Sequence, residues 1–198
     1  MSSIKIHQYD KSFSLISYAL VTFLVYPFLF WGLRWLLQFF PDAWYWSGLG
    51  THFSVSGIEF TLVDALLFLV GLFGFVLGQI EHREVSWQNG AVMDRSSKKP
   101  AELKTDGWYS RVRHPMYQFF IVVFSSLLVT TRSLWGISIA AILLGIHWIA
   151  IVIEEKELKA QFEMDYYQYR KEVSSQFFTK FWAIYLVVLY GIVILGML

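Results

Sequence analysis

Five long runs almost free of charge constrain this 198-residue chain more than any other feature. They cover residues 15–40, 60–80, 116–131, 134–153 and 181–198, and Arg34 and Asp64 are the only charged side chains in them, while the rest of the chain carries 29. A bilayer core about 30 Å thick is crossed by about 20 apolar helical residues, because a helix satisfies its own backbone N–H and C=O groups. The pattern predicts an all-α membrane protein with about five transmembrane helices in one integral membrane domain, 1–198. The third run is short by this measure, and one alternative is that it and the fourth form a tight helical hairpin turning at Thr131 to Leu134 without a full loop. The first run follows a polar stretch with Lys5, Asp10 and Lys11 and no small-residue cleavage pattern, which predicts a retained span and not a signal peptide.

Only 16% of residues are charged and the net charge is +1, so the basic footprint of a nucleic-acid binder is missing and no nucleic-acid partner is expected. Without cysteine the chain forms no disulfide, thiolate metal site or Cys nucleophile. His7, His52, His82, His114 and His147 lack metal-site spacing, and no metal is assigned.

The cations are unevenly placed. Residues 41–59 hold no Lys or Arg, whereas 81–115 hold seven, and the N-terminus, that segment and the stretch after the fourth run together hold fourteen of the sixteen. The positive-inside rule then predicts a cytoplasmic N-terminus, five spans and a C-terminus on the opposite side, in a bacterial inner membrane or the endoplasmic reticulum. Trp31, Trp35, Trp44, Tyr45 and Trp46 are expected to form an interfacial aromatic belt at the outer end of the first span. Ionisable groups inside a membrane are costly and commonly paired, which predicts an outer-face contact between Arg34 and Asp64.

Water-soluble chemistry must take place on the two long polar stretches assigned to the cytoplasmic face. One ends in Gly107, Trp108, Tyr109, Ser110, Arg111, Val112, Arg113, His114, Pro115, Met116, Tyr117, directly before an apolar run. Proline suits the first turn of a helix, so Pro115 should start the third span and place Arg113 and His114 at its mouth. Free N–H groups and two arginines there would attract a carboxylate or phosphate. The other begins with Glu154 and Glu155 where the fourth run ends. It continues with Leu158, Phe162, Tyr166, Tyr169 and Val173 at steps of four, four, three and four, one stripe of an amphipathic helix. If the third and fourth spans form a hairpin, Arg113 and His114 come within reach of Glu154 and Glu155. Taken singly, the basic residues also suit a topology signal and the acids a surface pair.

Together the two segments resemble the integral membrane methyltransferases typified by isoprenylcysteine carboxyl methyltransferase and the phospholipid N-methyltransferases. Gly107 to Tyr109 and Arg113 to Tyr117 look like that family's Gly-x-Tyr and Arg-His-Pro-x-Tyr elements. Glu154, Glu155, Leu158, Phe162, Tyr166 and Tyr169 look like its second motif, which usually has glycine where this chain has Glu163. A fifth span after the second motif is a further departure.

The resemblance implies S-adenosylmethionine bound near the cytosolic face and transfer of its methyl group to a lipophilic or small apolar acceptor arriving through membrane lipids. It implies a pocket formed by the helical hairpin and the following amphipathic helix. Gly107, Tyr109, Arg113, His114, Pro115, Tyr117, Glu154, Glu155 and Tyr166 are its expected cofactor-binding residues. Arg113, His114 and the helix start would hold the cofactor's polar head, Glu154 or Glu155 would accept from its amino or hydroxyl groups, and Tyr109, Tyr117 and Tyr166 would line the pocket. Arg111, for an acceptor's negative group, and Glu155 are the candidate catalytic residues. Competing readings are an NADPH-dependent membrane reductase resembling the sterol reductases and a non-catalytic membrane scaffold.

Overall fold

In the computed structural model, residues 2–37, 39–40, 52–55, 58–92, 100 and 102–195 are described, with side chains for 15–37, 39–40, 61–89, 100 and 102–194. Trp44, Tyr45 and Trp46 of the expected belt lie outside these residues. The elements are α1 (Ser2–Leu37), β1 (His52–Val55), β2 (Ile58–Thr61), α2 (Leu62–Val92), α3 (Pro115–Leu128), α4 (Leu134–Glu172) and α5 (Lys180–Leu195), with 3-10 turns at Gly107–Ser110 and Val129–Thr131.

The fold is built of helices, as expected, with a short strand pair between α1 and α2. β1 and β2 pair antiparallel, with His52 opposite Thr61 and Val55 opposite Ile58. The hairpin corrects the start of the second span, because Phe60 belongs to β2 and the helix begins at Leu62. Its signal lies in the sequence: Ser56 and Gly57 separate two short segments in which apolar and polar residues alternate. The apolar count that defines spans cannot see it.

Three helices contain stretches long and apolar enough to cross a membrane: Leu15–Leu37, Leu62–Asn89 and Leu134–Glu172. The shorter apolar stretches Pro115–Thr131 and Lys180–Ile194 complete the five expected runs. α2 continues well past Ile80, the expected end of its span, because charge ends a membrane segment without ending a helix and no Gly or Pro intervenes before Gly90.

α3 is the central element, packed against α1, α2, α4 and α5. Ten of its fourteen residues are buried, among them Phe119, Val122 and Ser126. α4 instead presents Ile142, Ile146, Ile149 and Ile153 outward, as a helix facing acyl chains must. α5 buries Trp182, Tyr185, Leu189 and Val193, at steps of three, four and four, against the cluster containing Leu67 and Phe119. Where α2 approaches α3, a Cβ on Gly71 would stand 2.6 Å from the Ser126 carbonyl oxygen, so only glycine fits there. Polar side chains close the seam: Tyr26 Oη donates to the Ser126 carbonyl at 3.1 Å, and Ser126 Oγ and Tyr185 Oη stand 2.7 Å apart.

At the end of the bundle where α1 finishes and α2 begins, Thr61 and Asp64 form a capping box. Thr61 N donates to Asp64 Oδ2 at 2.8 Å, and Asp64 N donates back to Thr61 Oγ1 at 3.2 Å. The expected Arg34–Asp64 pair is present at 3.3 Å, and Arg132 makes a closer one at 2.7 Å. Arg132, in the α3–α4 turn, adopts φ 58°. Arg34 and Arg132 are the two cations outside the three basic segments, and both converge on this one carboxylate.

Candidate active site

Pro115 occupies the first turn of α3, with His114 as the residue before the helix. The hairpin formed by α3 and α4 then brings the two polar motifs together at the opposite end of the bundle from Asp64. Arg113 Nε and Nη2 each lie 3.0 Å from Glu155 Oε1, with both side chains buried. Arg113 Nη1 donates to the carbonyls of Val173 at 2.7 Å and Ser174 at 3.0 Å, and its backbone N–H donates to Ser175 O at 3.0 Å. Arg113 thus ties the entrance of α3 to the residues following α4.

His114, 2% exposed, sits between both acids, with Nδ1 3.4 Å from Glu154 Oε2 and Nε2 3.5 Å from Glu155 Oε1. Burial works to raise the Glu155 carboxyl, but hydrogen bonds and charge from Arg113, with Arg170 and His114 behind them, hold it below the ordinary carboxylate range. Tyr166 is fully buried beside Glu155, and its hydroxyl has no hydrogen-bond partner among the described residues.

The helical stripe forms as expected, with Tyr166, Tyr169 and Val173 buried together and Leu103, Tyr109, Leu158 and Phe162 packed on them. The helix does not run through evenly. Glu163 takes φ 41° and ψ −109°, a conformation that glycine adopts freely and L side chains rarely do. This is the position where the resembling motif usually carries glycine. Glu163→Gly should therefore stabilise the chain by roughly 1 kcal/mol or more, since strain of this kind costs about 1–3 kcal/mol. The readout is the melting temperature in detergent, and an unchanged or lower value would contradict the assignment of strain to this residue.

A cavity of about 600 Å³ opens beside these groups, within the range of about 300–1,000 Å³ usual for small-molecule sites. Of the expected residues, Tyr109, Arg113 and Glu154 line it, whereas His114 and Glu155 stand behind Arg113 and Glu154. Tyr117 lies against the rings of His114 and His147, and Tyr166 lies behind Tyr169; neither lines the cavity. Gly107 and Pro115 act through the backbone. Gly107 has φ 60°, and a Cβ there would meet Gln88 Oε1 at 2.8 Å. Arg111 is exposed, its guanidinium 5.0 Å from the Trp108 ring and outside the cavity lining.

Leu158 and Tyr169 of the second motif line the cavity too, and further polar walls come from residues the motifs do not specify: Asn89, Glu102, Lys104, Glu157 and Gln161. Asn89 was hidden by ending α2 at Ile80; it accepts a hydrogen bond from Tyr109 Oη, whose phenol burial pushes up, so Tyr109 remains a neutral donor. Gln161 Nε2 donates to Pro100 O at 2.7 Å and fastens that rim to α4. Glu84 and Glu81, one turn apart on α2, accept from the indoles of Trp108 at 3.2 Å and Trp182 at 2.7 Å. These two rings flank Phe119 and position the Gly107–Ser110 turn over the end of α3.

In this hairpin Arg113 grips Glu155 and His114 faces Glu154, which places a polar site at one end of the apolar helices. Residues 60–165 match the phospholipid methyltransferase family model, and the chain belongs to that family of membrane methyltransferases. No curated protein and no solved structure matches the chain.

Proposed function

We propose that the chain transfers a methyl group from S-adenosylmethionine to a lipophilic or small apolar acceptor at the cytoplasmic membrane face. The observation that carries the reading is the meeting of Arg113 and His114 with Glu154 and Glu155 beside a 600 Å³ cavity that has both polar and apolar walls. The cofactor's amino acid head asks for mixed charge, its ribose for carboxylate or amide, and its adenine for apolar cover. Lys104 with Glu102, Glu154 with Gln161, and Leu103 with Leu158 supply these in turn along the lining.

Transfer is an in-line displacement at a methyl carbon. The residues' task is to align donor and acceptor and to exclude water, and no covalent enzyme intermediate forms. The fixed Arg113–Glu155 pair and the closed stripe of Tyr166 and Tyr169 provide a rigid back wall for this. Arg111, on the outer side of Trp108, is placed to meet an acceptor's negative group only outside the cavity. Five spans with a cytoplasmic N-terminus would put the site on the cytosolic leaflet, which the charge distribution supports.

The test is binding of radiolabelled S-adenosylmethionine to the purified full chain, followed by incubation with membrane extract to find the fraction that acquires label. Glu154→Gln and His114→Ala, checked for intact folding, should each weaken cofactor binding by tenfold or more. Parental affinity in both folded variants would remove these residues from the site. Hydride transfer from NADPH with no response to S-adenosylmethionine would overturn the reading itself.

A further inference from the structure

A second concavity, of about 370 Å³, lies against Arg113 and is lined by Arg113, Tyr167, Arg170, Lys171 and Ser174. Three of the five lining residues are cations and none is an acid. Glu155 is paired with Arg113, and Glu172, outside the lining, accepts from Gln168 Nε2 at 2.9 Å. Arg113 spends its guanidinium donors on Glu155 and the carbonyls of Val173 and Ser174. Arg170, half-buried, and Lys171, whose Nζ lies 4.5 Å from the Tyr167 ring, supply the excess positive charge. The hydroxyls of Tyr167 and Ser174 add neutral donors. Clustered cations and hydroxyls suit the several acceptor oxygens of a phosphate.

The depth of this concavity follows from the chain itself. Phe177 is buried with Ile121 and Ile151, and its ring centroid is 6.0 Å from that of Trp148, on the apolar part of α4. Three residues span at most about 10 Å, so Ser174 stands within that distance of hydrocarbon depth. Arg113, which lines the concavity, pairs with Glu155 two residues beyond the fourth apolar run, so the concavity lies at the polar end of that run, where headgroups meet it.

We infer that Arg170, Lys171, Tyr167 and Ser174 bind the phosphate of an anionic lipid headgroup, at a site separate from the methyl-donor cavity and sharing only Arg113 with it. The site seats the end of α4 on the headgroup layer, and the inference does not depend on the methyl-transfer reading.

The experiment titrates the purified full chain in neutral detergent with short-chain phosphatidylglycerol, short-chain phosphatidylcholine and inorganic phosphate, and reads bound ligand by native mass spectrometry. Phosphatidylglycerol should bind, at least tenfold more weakly in the double variant Arg170→Gln, Lys171→Gln, and millimolar inorganic phosphate should not displace it. S-adenosylmethionine binding by Lys171→Gln alone, which leaves the Arg170 charge near Glu155 in place, should stay at the parental level. Should the double variant fail to fold, Lys171→Gln alone, at an exposed position, should still weaken lipid binding severalfold. Unchanged phosphatidylglycerol binding in a folded variant overturns the site, as does equal binding of phosphatidylcholine. Inorganic phosphate binding as tightly as the lipid overturns the headgroup assignment in favour of a free phosphate. Loss of cofactor binding in Lys171→Gln overturns the separation of the two cavities.

Discussion

Arg113→Ala should destabilise the folded chain by roughly 3–5 kcal/mol, the usual cost of removing one partner from a buried ion pair. The loss exceeds that of a surface pair, worth about 0–1 kcal/mol, because Glu155 is left in a buried position and the carbonyls of Val173 and Ser174 lose their donor. Unfolding in detergent is the measurement, and a melting curve like the parent's would show that the pair contributes nothing. Arg113→Lys should fall between the two, since an ammonium retains the charge but cannot serve three acceptors from one plane. Adding Glu155→Gln to Arg113→Ala should recover part of the loss. The pH dependence has a definite sign. A carboxyl held below its ordinary value of 4.5 contributes stability that is complete above that value and is lost as pH falls through its lowered one. The parent should therefore lose this increment on acidification below about pH 4.5, and Arg113→Ala should have little of it to lose.

Asp64→Ala should be comparably damaging, again roughly 3–5 kcal/mol, with about 1 kcal/mol more from loss of the α2 cap. The carboxylate serves Thr61, Arg34 and Arg132 together, and Arg132 is only 3% exposed. The three participants should rank by how many buried partners each leaves unpaired. Asp64→Ala should cost most and Arg132→Ala next, while Arg34→Ala, at a partly exposed partner 3.3 Å away, should cost under about 1 kcal/mol. An equal or larger loss in Arg34→Ala would mean that the sequence-predicted pair, and not the Arg132 contact, holds this end of the bundle.

That ranking also shows what a single sequence conveys. The Arg34–Asp64 contact was legible because both residues interrupt apolar runs, whereas Arg132 fell in the turn between two runs and escaped the count of charges inside them. The hairpin of α3 and α4, Pro115 at the first turn, and the meeting of Arg113 and His114 with Glu154 and Glu155 were legible because each follows from one local rule applied to adjacent elements. Asn89, Glu102, Lys104 and Gln161 were not, since nothing local marks them. They line the cavity because α2 continues past Ile80 and because Pro100 is held against α4 by Gln161. Glu163 shows the converse: its departure from the motif was plain in the sequence, but only the backbone reveals that glycine's conformation survives without glycine.

The burial of α3 bears on how this protein meets bilayers of different thickness. Hydrophobic mismatch is felt by surfaces that touch acyl chains, and a helix ringed by other helices does not touch them. At fourteen residues α3 would be far too short for a lone span, but its neighbours bear that boundary. Thinner or thicker membranes should therefore tilt α1 and α4 while leaving the residues at the mouth of α3 in register, so that catalysis tolerates lipid composition better than the helix lengths suggest.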